Sequence, residues 1–268
     1  MSSTEGNSGA IAHRDPGLAG AYERGNALPA EGLGAWAKLI IRQLGPVERP
    51  LEVGCGTGVF CAALADRLPG AEVTGVDPSG PMLAEAARHH PHPRVRYLPG
   101  PADALPLPDA SCDGALLSRV VHHLPDRPAA ARELARVLRP GSRVVIRTTV
   151  RERLDSPVYT YWPQLLAVDS RRFAGEAELV ADFAGAGFGL LAVHSFAQPI
   201  AGSLAELRER YALRAESKLR ALSEGEFAAG LARLAAAAAA GGGGPVLERY
   251  DVLVLELATR PAGASPAG

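Results

Sequence analysis

The stretch Leu51-Glu52-Val53-Gly54-Cys55-Gly56-Thr57-Gly58 determines how the rest of the sequence is interpreted. It places three glycines directly after a predicted strand and directly before a helical pattern. Because glycine has no Cβ atom, such a turn can adopt positive φ angles and a ligand can approach its backbone closely. The N-terminus of the following helix exposes unpaired N–H groups at the same point. The segment therefore predicts a strand, a ligand-binding turn and a helix.

The spacing of the glycines argues against a nicotinamide dinucleotide site. That fingerprint requires G-x-G-x-x-G/A, and counted from either of the first two glycines the sixth position holds Val59 or Cys61. Asp77 follows the last of the three glycines by 19 residues, at the end of the second predicted strand. A carboxylate there can accept hydrogen bonds from both hydroxyls of a ribose. Asp77 also suits the entry to the next helix, and the two roles are compatible.

Short apolar runs alternate with helical patterns along the chain. Seven runs predict strands: Leu51–Val53, Glu72–Val76, Val95–Leu98, Gly114–Leu117, Arg143–Thr149, Leu190–Phe196 and Tyr250–Leu257. Helices are predicted over Phe60–Leu68, Pro81–His90 and Pro128–Leu138, and an amphipathic stripe from Leu33 to Leu44 predicts one before the first strand. The alternation favours an α/β fold with a parallel sheet covered on both faces.

Two stretches break this alternation and are interpreted as lid insertions. The predicted organisation is a disordered segment over 1–20, one domain over 21–258 and a flexible tail over 259–268. Within the domain, the core covers about 46–150, 176–198 and 246–258, and the lid covers 21–45, 151–175 and 199–245. Ala228–Ala240 predicts a helix, and Gly241–Gly244 predicts a flexible hinge after it.

Composition narrows the possible partners. The formal net charge is −1, so nothing global attracts the 268-residue chain to a nucleic-acid backbone or an anionic membrane. Its three cysteines form no spacing typical of a zinc site, and we expect no bound metal. The first 20 residues contain no apolar signal-peptide core, and no stretch approaches 18 uninterrupted apolar residues. We expect a cytoplasmic protein that contacts neither nucleic acid nor membrane.

Several motifs together resemble the class I S-adenosyl-L-methionine-dependent methyltransferases of the small-molecule type. They are Glu52–Gly58, Val76-Asp77, Leu105–Asp109, Cys112-Asp113, Val121–Leu124 and Arg136–Gly141. The resemblance covers about 35–196 and the final strand. It implies a Rossmann-like, doubly wound, seven-stranded and mostly parallel sheet whose last strand is antiparallel. It also implies methyl transfer from S-adenosyl-L-methionine to a small molecule, such as a secondary metabolite.

The resemblance implies a set of cofactor-binding residues: Glu52, Gly54, Cys55, Gly56, Gly58, Asp77, Pro78, Met82, Ala102, Asp103 and Ser118. Glu52 would fix the methionine part, Asp77 the ribose hydroxyls, and Pro78 with its neighbours would border the adenine. Cys55 is interpreted as a small spacer in the turn. Where the family commonly has an adenine-binding Asp, this sequence has Pro101. Either Asp103 reaches the adenine instead, or the backbone of Ala102 carries that contact.

The candidate catalytic residues are His122 and His123, which follow the fourth predicted strand. An acceptor hydroxyl must lose a proton, and histidine is the side chain whose ordinary pKa suits a general base. One of the two rings could instead face the core or cap a helix, and His194 is a weaker candidate. A pocket for a flat or apolar acceptor could be lined by aromatic residues, and core packing explains at least half of them as well: Tyr22, Trp36, Tyr159, Tyr161, Trp162 and Phe173. The alternatives are a cofactor-binding protein without transfer, cyclase-like or regulatory, and a protein or RNA methyltransferase.

Overall fold

The computed structural model describes residues 30–241 and 243–259. Seven strands form one sheet: β1 (Pro50–Val53), β2 (Val73–Asp77), β3 (Val95–Pro99), β4 (Cys112–Ser118), β5 (Leu138–Thr148), β6 (Phe188–Ala201) and β7 (Val246–Leu257). Their spatial order is β3-β2-β1-β4-β5-β7-β6. Strands β1 to β5 pair in parallel, and β7 runs antiparallel to both of its neighbours. The prediction of a mostly parallel seven-stranded sheet with an antiparallel last strand is confirmed.

Ten α-helices surround the sheet within the described ranges. They are α1 (Ala30–Leu44), α2 (Val59–Arg67), α3 (Gly80–His89), α4 (Arg127–Val137), α5 (Val158–Tyr161), α6 (Gln164–Arg172), α7 (Glu176–Ala184), α8 (Leu204–Ala212), α9 (Ser217–Arg220) and α10 (Glu224–Ala239). Two short 3₁₀ turns lie at Val121–His123 and Arg151–Arg153. In the part of the chain described, no helix is both long enough and apolar enough to cross a lipid bilayer.

The central strands are buried on both faces, which explains their near-continuous apolar character. Every residue of β1 is buried, and Leu51 and Val53 pack in one core while the opposite face of the sheet packs against α2. Strand β1 lies between β2 and β4 in the sheet. The strands that follow it in sequence are added first on one side, as β2 and β3, and then on the other side, as β4 and β5. A parallel sheet binds ligands at such a switch point, beyond the carboxyl ends of its strands.

Helix α1 packs on the sheet and is not part of the lid, which corrects the assignment of residues 21–45 for the portion described. Its apolar stripe buries Trp36, Ile40 and Leu44 in the core that also contains Cys61 and Leu64 of α2. The periodicity identified the helix and its buried face. It could not show which surface that face covers, because that surface is formed by residues distant in sequence.

Two insertions, 151–175 and 202–245, pack on each other, and we call them together the lid. Val158, Trp162 and Leu165 of the first share a separate apolar core with Leu207 and Phe227 of the second. Strands β6 and β7 extend further than predicted because they pair along their whole length up to Ala201 and Val246, both packed at this lid core. The paired strands therefore support the lid beside the carboxyl edge of the sheet.

Candidate active site

A cleft of about 530 Å³ opens at the carboxyl ends of β1, β2, β3 and β4. Nine of the residues predicted for the site line it: Gly54, Gly56, Asp77, Pro78, Met82, Ala102, Asp103, Ser118 and His123. Its volume lies in the range usual for small-molecule and cofactor sites. The structure thus brings together residues that are distant in sequence at the switch point of the sheet.

The three glycines of the turn all have positive φ angles, but their structural roles differ. These angles are +69° at Gly54, +53° at Gly56 and +79° at Gly58. A Cβ atom on Gly54 would lie 2.3 Å from Val120 Cγ2, and one on Gly58 would lie 2.4 Å from the Tyr97 hydroxyl oxygen. A Cβ atom on Gly56 would meet no protein atom within 4 Å. Gly54 and Gly58 therefore allow close packing, and Gly56 leaves the cleft open.

Asp77 connects the end of β2 to the glycine turn. Its Oδ2 accepts a hydrogen bond of 2.9 Å from the Gly56 N–H, and its Oδ1 accepts one of 2.8 Å from the Ser79 N–H. The Ser79 hydroxyl in turn accepts a hydrogen bond of 3.3 Å from the Met82 N–H and so caps α3. Both predicted roles of Asp77 are thus compatible with the geometry, because its carboxylate borders the cleft and also stabilises the turn into α3.

Glu52 does not line the cleft, unlike Asp77 and Asp103, the other two acids of the predicted set. Side chains alternate along a strand, and the Glu52 carboxyl points to the α2 side, where the Cys61 thiol donates a 2.9 Å hydrogen bond to Oε2. Burial raises the pKa of Glu52 to about 8, with the nearby charge of Asp77 acting in the same direction. Cys55 and Gly58 also do not line the cleft. The side chain of Cys55 is buried in the protein. The raised pKa keeps the Glu52 carboxyl mostly protonated at neutral pH.

This burial predicts a pH dependence of stability. Between the ordinary glutamate pKa of 4.5 and about 8, the folded chain holds one proton more than the unfolded chain at Glu52. The free energy of unfolding therefore falls as pH rises through this window, by up to about 1.4 kcal/mol per pH unit. Glu52→Gln removes this titrating group. In urea unfolding, the free energy of unfolding of the variant minus that of the wild type should therefore increase from pH 5 to pH 8.

The matched control is Glu72→Gln, which changes an exposed glutamate just before β2. Its unfolding free energy should follow the wild type across the same pH range. Parallel pH profiles for the wild type and Glu52→Gln would contradict the assignment of a buried, protonated carboxyl at Glu52.

The two ways of replacing the family's adenine-binding acid both remain open in the structure. Pro101, Ala102 and Asp103 are neighbours on the wall of the cleft. Asp103 is exposed and Ala102 is half-buried. Both the Asp103 carboxylate and the Ala102 backbone can therefore face a ligand there.

His122 and His123 lie in the 3₁₀ turn after β4, with ring centroids 4.3 Å apart. The His122 ring also lies 4.4 Å from that of Phe173. Burial lowers the pKa of His122 well below its ordinary value, and the charges near it act in the same direction. Arg172 Nη2 lies 3.0 Å from both ring nitrogens of His123. A guanidinium only donates, so a ring nitrogen of His123 is the acceptor in this contact.

A second, smaller pocket of about 70 Å³ adjoins the cleft beneath the lid. Arg119 and His123 line both cavities, so they form the boundary between them. The pocket is rich in charge, with lid residues Asp169, Arg172, Glu216 and Lys218 facing Glu248 and Arg249 of β7. Sequence reasoning named His122, His123, Tyr159 and Phe173, which line this pocket, but none of its charged residues. One signal was available for Lys218, since it is one of two lysines among 28 basic residues.

Of the aromatic residues predicted either to line a pocket or to pack in a core, most pack in cores. Trp162 and Tyr161 are buried in the lid core, and Trp36 packs against the Arg147 guanidinium on the sheet. Of the aromatic set, Tyr159 and Phe173 line the small pocket, and the Tyr159 hydroxyl donates to Asp169 Oδ2 over 2.8 Å. Tyr22 lies outside the described residues. Aromatic side chains here fill the interior of the lid, and charged side chains surround the space beside the cleft.

The remaining predicted groups lie away from both cavities. His194 is half-buried on β6, with its ring centroid 5.9 Å from that of Phe196. Cys55, Cys61 and Cys112 are free thiols. Among residues 30–241 and 243–259, no cluster of three or more His, Cys, Asp or Glu is arranged to hold a metal ion.

Part of the amino-acid sequence is similar to known methyltransferases. Residues 51–146 match the family described as "Methyltransferase domain". A demethylmenaquinone methyltransferase of Thermus thermophilus is 41% identical over 102 residues, which cover 37% of this chain and 46% of that protein. The chain therefore spans less than half the length of that relative.

Solved structures resemble the chain over most of its length. The [4+2]-cyclase SpnF has a TM-score of 0.61 at 23% identity, over 88% of this chain and 85% of that one. A geranyl diphosphate methyltransferase in complex with SAM has a TM-score of 0.56 at 20% identity, over 92% and 94%. Both likenesses show the shared fold. Residues 51–146 therefore resemble a methyltransferase domain, and the two solved structures share the fold of the chain.

Proposed function

We propose that the chain transfers a methyl group from S-adenosyl-L-methionine to a small molecule. The observation that carries this proposal is the pairing of Gly56 with Asp77 at the switch point of the sheet. Gly56 has positive φ and no protein atom within 4 Å of where its Cβ would lie, and its N–H donates to the Asp77 carboxylate. A bare backbone beside a carboxylate suits a ligand that combines a ribose with a charged amino-acid portion.

The residues present fit the cofactor. Asp77 would hold the ribose hydroxyls, Met82 and Pro78 would border the adenine, and the open backbone at Gly56 would accommodate the amino-acid portion. When bound, the cofactor supplies a methyl group on a sulfonium, a leaving group already activated by its positive charge. The protein mainly has to align the accepting atom and exclude water.

Arg119 and His123 would border the accepting atom, because they separate the cleft from the small pocket. Arg119 has a φ angle of +57°, a conformation that side-chain-bearing residues rarely adopt and that clusters at functional sites. Its N–H donates a 2.7 Å hydrogen bond to the Arg147 carbonyl, which holds it in place. Arg119 and His123 would position the acceptor against the cleft.

A small acceptor fits the second pocket better than a macromolecule does. The pocket holds about 70 Å³ and is covered by the lid. A protein or RNA acceptor would need an open approach to the boundary formed by Arg119 and His123. The lid residues Asp169, Arg172 and Lys218 line this pocket, and Asp169 is fully buried. The proposed acceptor is therefore a small polar metabolite.

Isotope transfer tests the proposed function. The protein is incubated with methyl-labelled S-adenosyl-L-methionine and a metabolite extract from which macromolecules can be separated. The expected result is label in the small-molecule fraction together with stoichiometric S-adenosyl-L-homocysteine. Label in protein or RNA would show a macromolecular methyltransferase, and cofactor binding without any transferred label would favour a cyclase-like or regulatory protein.

A further inference from the structure

One oxygen of a buried carboxylate at the small pocket has no partner. Asp169 lies on α6, borders the pocket and is fully buried. Its Oδ2 accepts a 2.8 Å hydrogen bond from the Tyr159 hydroxyl, whereas its Oδ1 has no hydrogen-bond partner among the described residues. Buried polar atoms are almost always hydrogen-bonded in folded proteins. The Oδ1 atom is therefore an acceptor that a donor on a ligand can satisfy.

The groups around this carboxylate place it at the pocket and not in the apolar core of the lid. Tyr159 and Lys218 both line the pocket, and both contact the same carboxylate oxygen. The Nζ atom of Lys218 lies 3.8 Å from Asp169 Oδ2. Because the two oxygens of a carboxylate belong to one small planar group, Oδ1 lies beside the same cavity. The volume of about 70 Å³ has room for a group of a few non-hydrogen atoms.

A second buried atom at this pocket also lacks a partner. His122 lines the pocket, and its Nδ1 makes no hydrogen bond within the part of the chain that the structure describes. Burial lowers the pKa of His122 well below its ordinary value, so the ring is neutral at neutral pH. A neutral imidazole has one donor and one acceptor nitrogen, and Nδ1 is one or the other. A hydroxyl group suits both cases, because it donates and accepts at a single atom.

The charges around Oδ1 disfavour a charged ligand group there. A carboxylate has no donor and would meet Asp169 as a second anion. An ammonium can donate, but it would lie close to Lys218, whose Nζ is 3.3 Å from Glu216 Oε2 as well as near Asp169. Although burial acts to lower it, the carboxylates of Glu216, Glu248 and Asp169 raise the pKa of Lys218, so this side chain stays protonated. A neutral donor avoids both like-charge contacts.

We propose that the small pocket binds a hydroxyl group of the methyl acceptor, which donates its hydrogen bond to Asp169 Oδ1. This proposal rests on the proposed function and specifies its substrate class as small hydroxylated molecules that are uncharged at the end beneath the lid. Hydrogen bonds to a carboxylate are stronger than those between neutral groups. A ligand without the hydroxyl would leave Oδ1 buried and unpaired, and polar sites reject such analogues for this reason.

The position of Asp169 separates the bound hydroxyl from the atom that receives the methyl group. Asp169 lines the small pocket but not the cleft, whereas Arg119 and His123 line both. A hydroxyl at Asp169 therefore lies on the lid side of this boundary, and the rest of the acceptor extends towards the cleft. The hydroxyl is an anchor, and the methylated atom is a different one nearer the cleft. Asp169 thus determines specificity and takes no part in the transfer itself.

Four probes of equal size test the proposal: propan-2-ol, acetone, acetate and propan-2-amine. Only the first of them is a neutral hydrogen-bond donor. Saturation-transfer NMR titrations measure their affinities in the presence of saturating S-adenosyl-L-homocysteine. The expected result is that propan-2-ol binds about tenfold or more tightly than each of the others. Equal binding of all four, as for a cavity that only solvent fills, would overturn the proposal, and so would preferential binding of acetone, acetate or propan-2-amine.

Asp169→Asn tests the residue that is assigned to the hydroxyl. The amide is uncharged and has a single acceptor oxygen, for which the Tyr159 hydroxyl competes. The variant should therefore lose at least half of the wild-type preference for propan-2-ol over acetone. The matched control is Glu152→Gln, the same change from acid to amide at an exposed residue of the same insertion outside both cavities. Its preference should equal that of the wild type, and an equally unchanged preference in Asp169→Asn would remove Asp169 from the site.

Calorimetric titration with S-adenosyl-L-homocysteine, run on the wild type and both variants, checks folding and separates the two proposals. The comparison of the four probes on the wild type holds even if Asp169→Asn does not fold. If the wild type binds S-adenosyl-L-homocysteine but does not bind propan-2-ol preferentially, the hydroxyl proposal fails alone. If the wild type does not bind S-adenosyl-L-homocysteine, the proposed function fails.

Discussion

Asp77→Ala should weaken the binding of S-adenosyl-L-homocysteine by about 1.5 to 3 kcal/mol, a loss of roughly 10- to 150-fold in affinity. Two losses contribute. The variant lacks the carboxylate proposed to accept hydrogen bonds from the ribose hydroxyls. It also releases the N–H groups of Gly56 and Ser79, which the carboxylate now holds at 2.9 and 2.8 Å. Isothermal titration calorimetry measures the affinity directly.

A change in the fold must be distinguished from the loss of a ligand contact at Asp77. Asp77→Asn keeps one oxygen to accept from a backbone N–H but removes the charge, so it should lose affinity while melting close to the wild type. Asp66→Ala changes an exposed carboxylate of α2 outside both cavities and should bind as the wild type does. Unchanged affinity in Asp77→Ala would remove this residue from the cofactor site.

Gly56→Ala should reduce cofactor affinity by about 5- to 150-fold, the effect of about 1 to 3 kcal/mol expected when an extra methyl is forced into a filled site. The new Cβ meets no protein atom within 4 Å, so its steric conflict arises only with a ligand in the cleft. The φ angle of +53° also strains alanine, at a cost of about 1 to 2 kcal/mol in stability.

Gly70→Ala separates backbone strain from the steric effect on the ligand. Gly70 has a φ angle of +83° and, like Gly56, no protein atom within 4 Å of its ideal Cβ position, but it lies outside both cavities. Its alanine variant should lose similar stability in urea unfolding and keep the wild-type affinity. If the two alanine variants bind the cofactor equally well, the close approach of a ligand to Gly56 is not supported.

The sequence was informative wherever the signal is local. The glycine turn, Asp77 and the alternation of strands and helices depend on neighbouring residues, because a strand or helix imposes a fixed period on its buried side chains. The ends of β6 and β7 were less predictable. They extend to Ala201 and Val246 because each strand pairs with the other beyond the edge of the core.

The small pocket could not be predicted from sequence. Arg119, Arg172 and Glu248 are separated by more than 50 residues in each interval, and only the packing of the lid on the sheet brings them together. The aromatic residues of the lid misled for a related reason. Trp162 is of a residue type that suggests a ligand-binding pocket, but its ring packs against Phe227 and Tyr211 from the other insertion. Residue type suggests a pocket, and tertiary packing decides which side chains face it.

The most direct test of the account is a crystal structure of the protein with S-adenosyl-L-homocysteine. We predict that the adenosine lies in the 530 Å³ cleft, with the ribose hydroxyls on Asp77 and the amino-acid portion against the backbone of Gly56. The compound bound elsewhere, or an empty cleft in crystals that contain it at saturating concentration, would contradict the central claim.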